Sequence, residues 1–77
     1  MDYDKDKVDE VVLALLLLTS FKDPAGTRAW KGQDWGTMER LHAKGLLSDP
    51  KRKTNSVLLS EEGEKRSREL FAKHFSR

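Results

Sequence analysis

The stretch from Leu41 to Gly63, LHAKGLLSDPKRKTNSVLLSEEG, permits few structures. Lys44-Gly45-Leu46 has the form of a helix C-cap. Glycine reaches the left-handed conformation that ends a helix at no steric cost, and Leu46 can then fold back onto Leu41. Leu46 and Leu47 open an extended run that Asp49-Pro50 breaks. Lys51, Arg52, Lys53, Thr54 and Asn55 follow as a polar, basic tip. Val57 and Leu59 resume at strand spacing, so they share one face of a second strand, and Leu58 points the other way. Ser60-Glu61-Glu62 supplies a hydroxyl cap and an acidic first turn for a new helix. Helix, two-stranded ribbon with a basic tip, and helix make the second half of a winged helix-turn-helix.

The same residues carry a family resemblance. L-x-x-K-G-L-L at Leu41–Leu47 and V-x-L-S-E-E-G at Val57–Gly63 resemble the wing region of MarR- and PadR-type bacterial regulators. The likeness runs from Asp34 to about Leu70. It implies that the helix ending at Lys44 is a recognition helix and that the basic ribbon is a wing. As a whole, the chain resembles a family of short bacterial proteins of unknown function, which implies a fold and no activity.

Seventy-seven residues make one domain with a limited core. There is no cysteine, so neither a disulfide nor a thiolate metal site supplements that core. The absence agrees with a cytoplasmic protein. The acidic start, MDYDKDKVDE, is unlike a basic secretory n-region. The longest apolar run, Val11–Leu18, falls far below the ~18 residues that span a bilayer, so no membrane partner is expected. The net charge of +2 is too small to imply nucleic acid by itself, but its distribution says more. Residues 1–20 carry two basic and five acidic side chains, and residues 21–77 carry thirteen and eight. Within Arg28–Lys53 the count is seven against three, so the middle of the chain is the basic part.

Asp2, Asp4 and Asp6 alternate, but a calcium loop starting at Asp2 would need glycine and glutamate where Lys7 and Leu13 stand. These acids instead cap a helix that runs from Asp4–Asp6 to Thr19–Ser20. Val8, Val11, Val12, Leu15 and Leu18 fall on one of its faces, while Leu13, Leu16 and Leu17 lie largely off that stripe. A helix apolar nearly all round must be buried nearly all round. A second copy of the chain, docked at Val12, Leu13, Leu16 and Leu17, is the expected cover, because symmetric dimers dominate oligomers. The alternative is that the C-terminal helix and Phe21 cover it within one chain.

Asp23-Pro24-Ala25-Gly26 is a turn: aspartate suits its first position, proline presets the second and glycine suits the fourth. Thr27–Lys31 reads as a strand. Asp34 caps a helix over Trp35–Lys44, with Trp35, Met38, Leu41 and His42 inward and Thr37, Arg40 and Lys44 on the opposite stripe. Between the first helix and this one there is no room for the supporting helix of a full helix-turn-helix unless Thr27–Gly32 is itself helical. The last helix runs from Glu61 to Phe75. Gly63 and Ser67 permit close packing on its apolar side, and its Glu–Lys and Glu–Arg pairs at i,i+4 form a solvated face. The expected architecture is α+β, a reduced winged helix in the order helix, strand, helix, strand, strand, helix.

Catalysis finds little support: there is no cysteine nucleophile, no G-x-S-x-G and no phosphate-cradling glycine loop. His42 and His74 suit helix ends better than a metal site, and no cofactor is expected. DNA binding has the best positive case, with Lys51, Arg52 and Lys53 as the wing and Thr37, Arg40 and Lys44 as the reader, flanked by Arg28 and Lys31. The rival is a non-catalytic protein-interaction module. Trp30 and Trp35 are expected in the core, since a small domain needs large side chains. Exposed beside Leu58, they would favour the rival.

Overall fold

A computed structural model describes residues 1–77. Helix α1 spans Lys5–Leu16 and runs into a single 3-10 turn at Leu17–Thr19. Strands β1 (Ser20–Asp23) and β2 (Gly26–Trp30) follow, then α2 (Trp35–Ala43), β3 (Ser56–Leu58) and α3 (Glu61–Phe75). The strands form one antiparallel sheet in the order β1-β2-β3. The protein is thus α+β, three helices and a three-stranded sheet, consistent with a small winged-helix-like fold.

The helix ends are set by local chemistry. Asp4, Asp34 and Ser60 accept from the backbone N–H groups of Lys7, Thr37 and Gly63 at 3.1, 3.1 and 2.9 Å. Each satisfies one of the four orphan donors at a helix start. α2 ends at Gly45, whose φ of 79° is left-handed. The Gly45 N–H donates to the His42 carbonyl and the Leu46 N–H to the Leu41 carbonyl, at 2.9 and 3.0 Å, which is a Schellman closure. Leu46 folds back beside Leu41, and both lie in the core with Leu13, Leu16, Ala29, Met38, Leu47, Val57 and Leu59. α3 begins against the Leu46 backbone. A Cβ on Gly63 would come within 2.0 Å of the Leu46 carbonyl oxygen, so only glycine fits. One turn on, the buried Ser67 hydroxyl donates to the Leu13 carbonyl at 2.8 Å, which seats α3 along α1.

Four expectations are corrected. First, residues before the Asp23–Gly26 turn are a strand, so β1 and β2 form a hairpin; Asp23 braces the turn by accepting from the Ala25 N–H at 2.8 Å. Second, the first ribbon strand shrinks to one bridge, Leu47 to Leu59, because Ser48 turns its hydroxyl onto the Leu58 N–H and Pro50 ends the run. Third, the apolar faces of α1 are exchanged. Leu13 and Leu16 are buried within the chain, so they cannot meet a second copy, while Val8, Val11 and Leu15 are only half-buried and Leu18 is exposed. Fourth, Trp30 and Trp35 lie outside the core, at 52% and 48% exposure. The inward positions of β2 are Thr27 and Ala29, so strand alternation puts Trp30 on the outer face. Trp35 is the first residue of α2, where it projects beyond the core.

Candidate nucleic-acid interface

The two halves of the candidate site stand in opposite electrostatic states. The first half is the outer stripe of α2. Thr37 does not face solvent; it is fully buried, and its hydroxyl donates to the Asp34 carboxylate at 2.9 Å. Arg40 Nη2 donates to the Thr37 hydroxyl at 3.0 Å. The same guanidinium reaches across to α1, where Nε lies 2.9 and 3.1 Å from the two carboxylate oxygens of Asp9 and Nη2 lies 2.8 Å from Oδ1. Lys44, one turn on, donates to Asp9 Oδ2 at 2.9 Å and reaches Asp6 at 3.4 Å. His42, expected inward, is exposed, and its Nδ1 lies 2.8 Å from the Leu47 carbonyl, so that nitrogen carries the proton.

Asp9 was not among the residues singled out from the sequence, and it is the centre of this cluster. Its side chain is 2% exposed. Burial pushes its carboxyl upward, but hydrogen bonds from Arg40 and Lys44, and their charges, outweigh burial and hold it below the usual carboxylate range. The hydrogen bond to Asp9 is likewise the main cause that raises Arg40 and Lys44. The sequence did carry a signal. Asp9, Leu13 and Leu16 stand at i, i+4 and i+7, so the carboxylate continues the buried stripe of α1.

The second half is the loop between Leu47 and β3. Lys51, Arg52 and Lys53 are exposed, and none lies within 4.0 Å of a carboxylate. The loop is nonetheless held. The Lys31 ammonium donates to the carbonyls of Pro50 and Arg52, the Lys31 N–H donates to the Asn55 carbonyl at 3.1 Å, and Asp49 accepts from the Lys51 N–H at 2.9 Å. Lys31 therefore joins the loop and adds a cation to it. Arg28, the other expected flank, is paired with Asp23. The structure thus separates the six predicted residues into a buttressed, unpaired trio and a trio engaged within the fold.

A cleft of about 410 Å³ between α1 and α3 is floored by Leu13, Leu41, Leu46 and Leu70. Two pairs of its rim charges meet, Lys44 with Asp6 and Lys73 with Glu10. No helix is long and apolar enough to cross a membrane.

Replacing Asp9 by asparagine removes the charge that Arg40 and Lys44 share. At pH 7 this variant should lose about 1.5–3 kcal/mol of unfolding free energy, as for hydrogen bonds to charged groups. Because the folded Asp9 carboxyl sits below its unfolded value of about 4, its contribution is complete above that value and is lost as pH falls through the folded one. Urea unfolding should therefore show wild type and Asp9→Asn converging in acid. A gap that stays constant from pH 7 to pH 2 contradicts the assignment.

Comparison with known proteins places the chain in a family. Residues 4–77 match the model described as "Domain of unknown function (DUF6429)". A protein of Sinorhizobium fredii (strain NBRC 101917 / NGR234), named "Uncharacterized protein y4hR", is 49% identical over 77 residues, which is 100% of both chains. No solved structure matches the chain significantly. The match across nearly the whole length, with full mutual coverage of the bacterial relative, makes this chain a member of the DUF6429 family.

Proposed function

We propose that the protein is a small, non-catalytic, winged-helix DNA-binding module that grips DNA through its basic loop and not through α2. The observation that carries this reading is the unpaired trio Lys51, Arg52 and Lys53 on a loop pinned by Lys31. Cations held in place with no carboxylate partner suit phosphates, and a loop fixed in advance loses little entropy on binding. α2 is a poor reader, since Arg40 and Lys44 would have to leave Asp9 to meet a base.

A specific observation favours a second reading, a protein-interaction module. Phe21, Trp30 and Trp35 are exposed, as is Leu18 in the 3-10 turn that follows α1. Within either reading the chain acts as a homodimer through Val8, Val11, Leu15 and Leu18. Their 3-4-3 spacing is that of a helix-pairing seam. Light scattering should give twice the chain mass, falling to the monomer in Leu15→Glu. A wild-type monomer at micromolar concentration removes the dimer and leaves the loop reading intact.

Fluorescence anisotropy with random-sequence duplex DNA tests the loop. With three to four phosphate contacts, affinity should fall about 40- to 150-fold between ~50 and ~200 mM salt. The Lys51/Arg52/Lys53→Ala variant should bind weakly and lose most of that slope. Absence of binding at tens of micromolar in low salt sinks the DNA reading and selects the protein partner.

A further inference from the structure

The outer face of the sheet adjoins the basic loop and carries an aromatic pair. Phe21 on β1 lies opposite Arg28 on β2, and Trp30 lies two residues along, opposite Ser56 on β3. The Phe21 and Trp30 rings meet as a tilted diagonal pair, with centroids 5.3 Å apart and planes at 42°. Both remain open to solvent, Trp30 at 52% and Phe21 at 38%. The Asp23 carboxylate at the end of β1 is occupied by Arg28, whose guanidinium also lies 3.4 Å from the Ser56 hydroxyl. Trp30 is followed directly by Lys31, the residue that clasps the loop. Trp30 pairs with Ser56 and the Lys31 N–H with the Asn55 carbonyl, so the aromatic pair and the end of the basic loop adjoin as one strip.

Resting on the nucleic-acid reading above, we propose that this strip takes single-stranded nucleic acid, with bases stacked on Trp30 and Phe21 and phosphates along Lys31, Lys51, Arg52 and Lys53. The chemistry argues for that occupant. Exposed rings accept the face of any unpaired base, and neighbouring cations track its backbone. A duplex hides its base faces, so it could use only the cations. The excess of unpaired positive charge at the strip's end also suits a polyanion better than an apolar protein surface.

Anisotropy of a labelled 12-nucleotide single strand, against a duplex of equal length, tests this. Wild type should prefer the single strand. Trp30→Ala should weaken single-strand binding ~10-fold or more and leave both its salt slope and duplex binding unchanged. Trp30→Phe should retain most of the affinity, and Phe21→Ala gives a second exposed site should Trp30→Ala fail to fold by circular dichroism. The Lys51/Arg52/Lys53→Ala variant should lose salt slope on both ligands. Equal binding of strand and duplex, with Trp30→Ala and Phe21→Ala like wild type, overturns the stacking strip while the loop reading stands. Failure of wild type to bind either ligand overturns both and points to a protein partner.

Discussion

Asp9 is the charge on which the arrangement of α1 and α2 depends. A carboxylate this buried is tolerable only when it is saturated with donors, because taking a charge out of water costs several kcal/mol. Here Arg40 Nε donates to both carboxylate oxygens, its Nη2 lies 2.8 Å from Oδ1, and Lys44 donates to Oδ2. Arg40 and Lys44 are one helical turn apart, so a single acid on α1 fixes the rotation of α2 about its axis. It also fixes which side of α2 turns inward. Thr37, Met38 and Leu41 are buried as a result, and Thr37 is satisfied by Asp34 and Arg40.

That arrangement bears on function. In a full helix-turn-helix, a supporting helix stands beside the recognition helix. In this chain the segment between α1 and α2 is a 3-10 turn and a β-hairpin, and α1 itself lies against α2. The cations that would face a groove are drawn onto α1. Within the basic middle of the chain, the exposed cations without an acid partner are those of the Lys51–Lys53 loop, where Lys31 sets the backbone instead of pairing with an acid. The bias of basic residues toward the middle of the chain thus conceals two populations, one that holds helices together and one that remains available.

Much of the local structure was legible because it is written in short-range chemistry. The caps at Asp4, Asp34 and Ser60, the glycine stop at Gly45, the Asp23–Gly26 turn and the opposed faces of Val57 and Leu58 each need only neighbours in sequence. Close packing at Gly63 and Ser67 was legible for a related reason, since small residues on an apolar face mark where another backbone comes near. β1 was missed because Ser20–Asp23 has a single apolar residue and no buried face of its own. The tryptophans were misplaced because size alone says nothing about strand parity, which Thr27 and Ala29 decide. The Asp9 cluster joins residues 31 and 35 positions apart, and no local pattern specifies such a pairing. Of the candidate site, the loop could be read from charge beside turn residues; the engagement of Arg40 and Lys44 could not.

The central claim is that α2 holds the fold while the loop and the adjoining strip meet the ligand. Backbone and side-chain ¹H–¹⁵N correlation spectra, recorded while an oligonucleotide is added, test it most directly. The account predicts that the amides of Lys31 and Lys51–Asn55 and the Trp30 indole shift, and that Thr37, Lys44 and the Arg40 side-chain Nε–H stay in place. Shifts concentrated on Thr37, Arg40 and Lys44, with the loop unmoved, would contradict it.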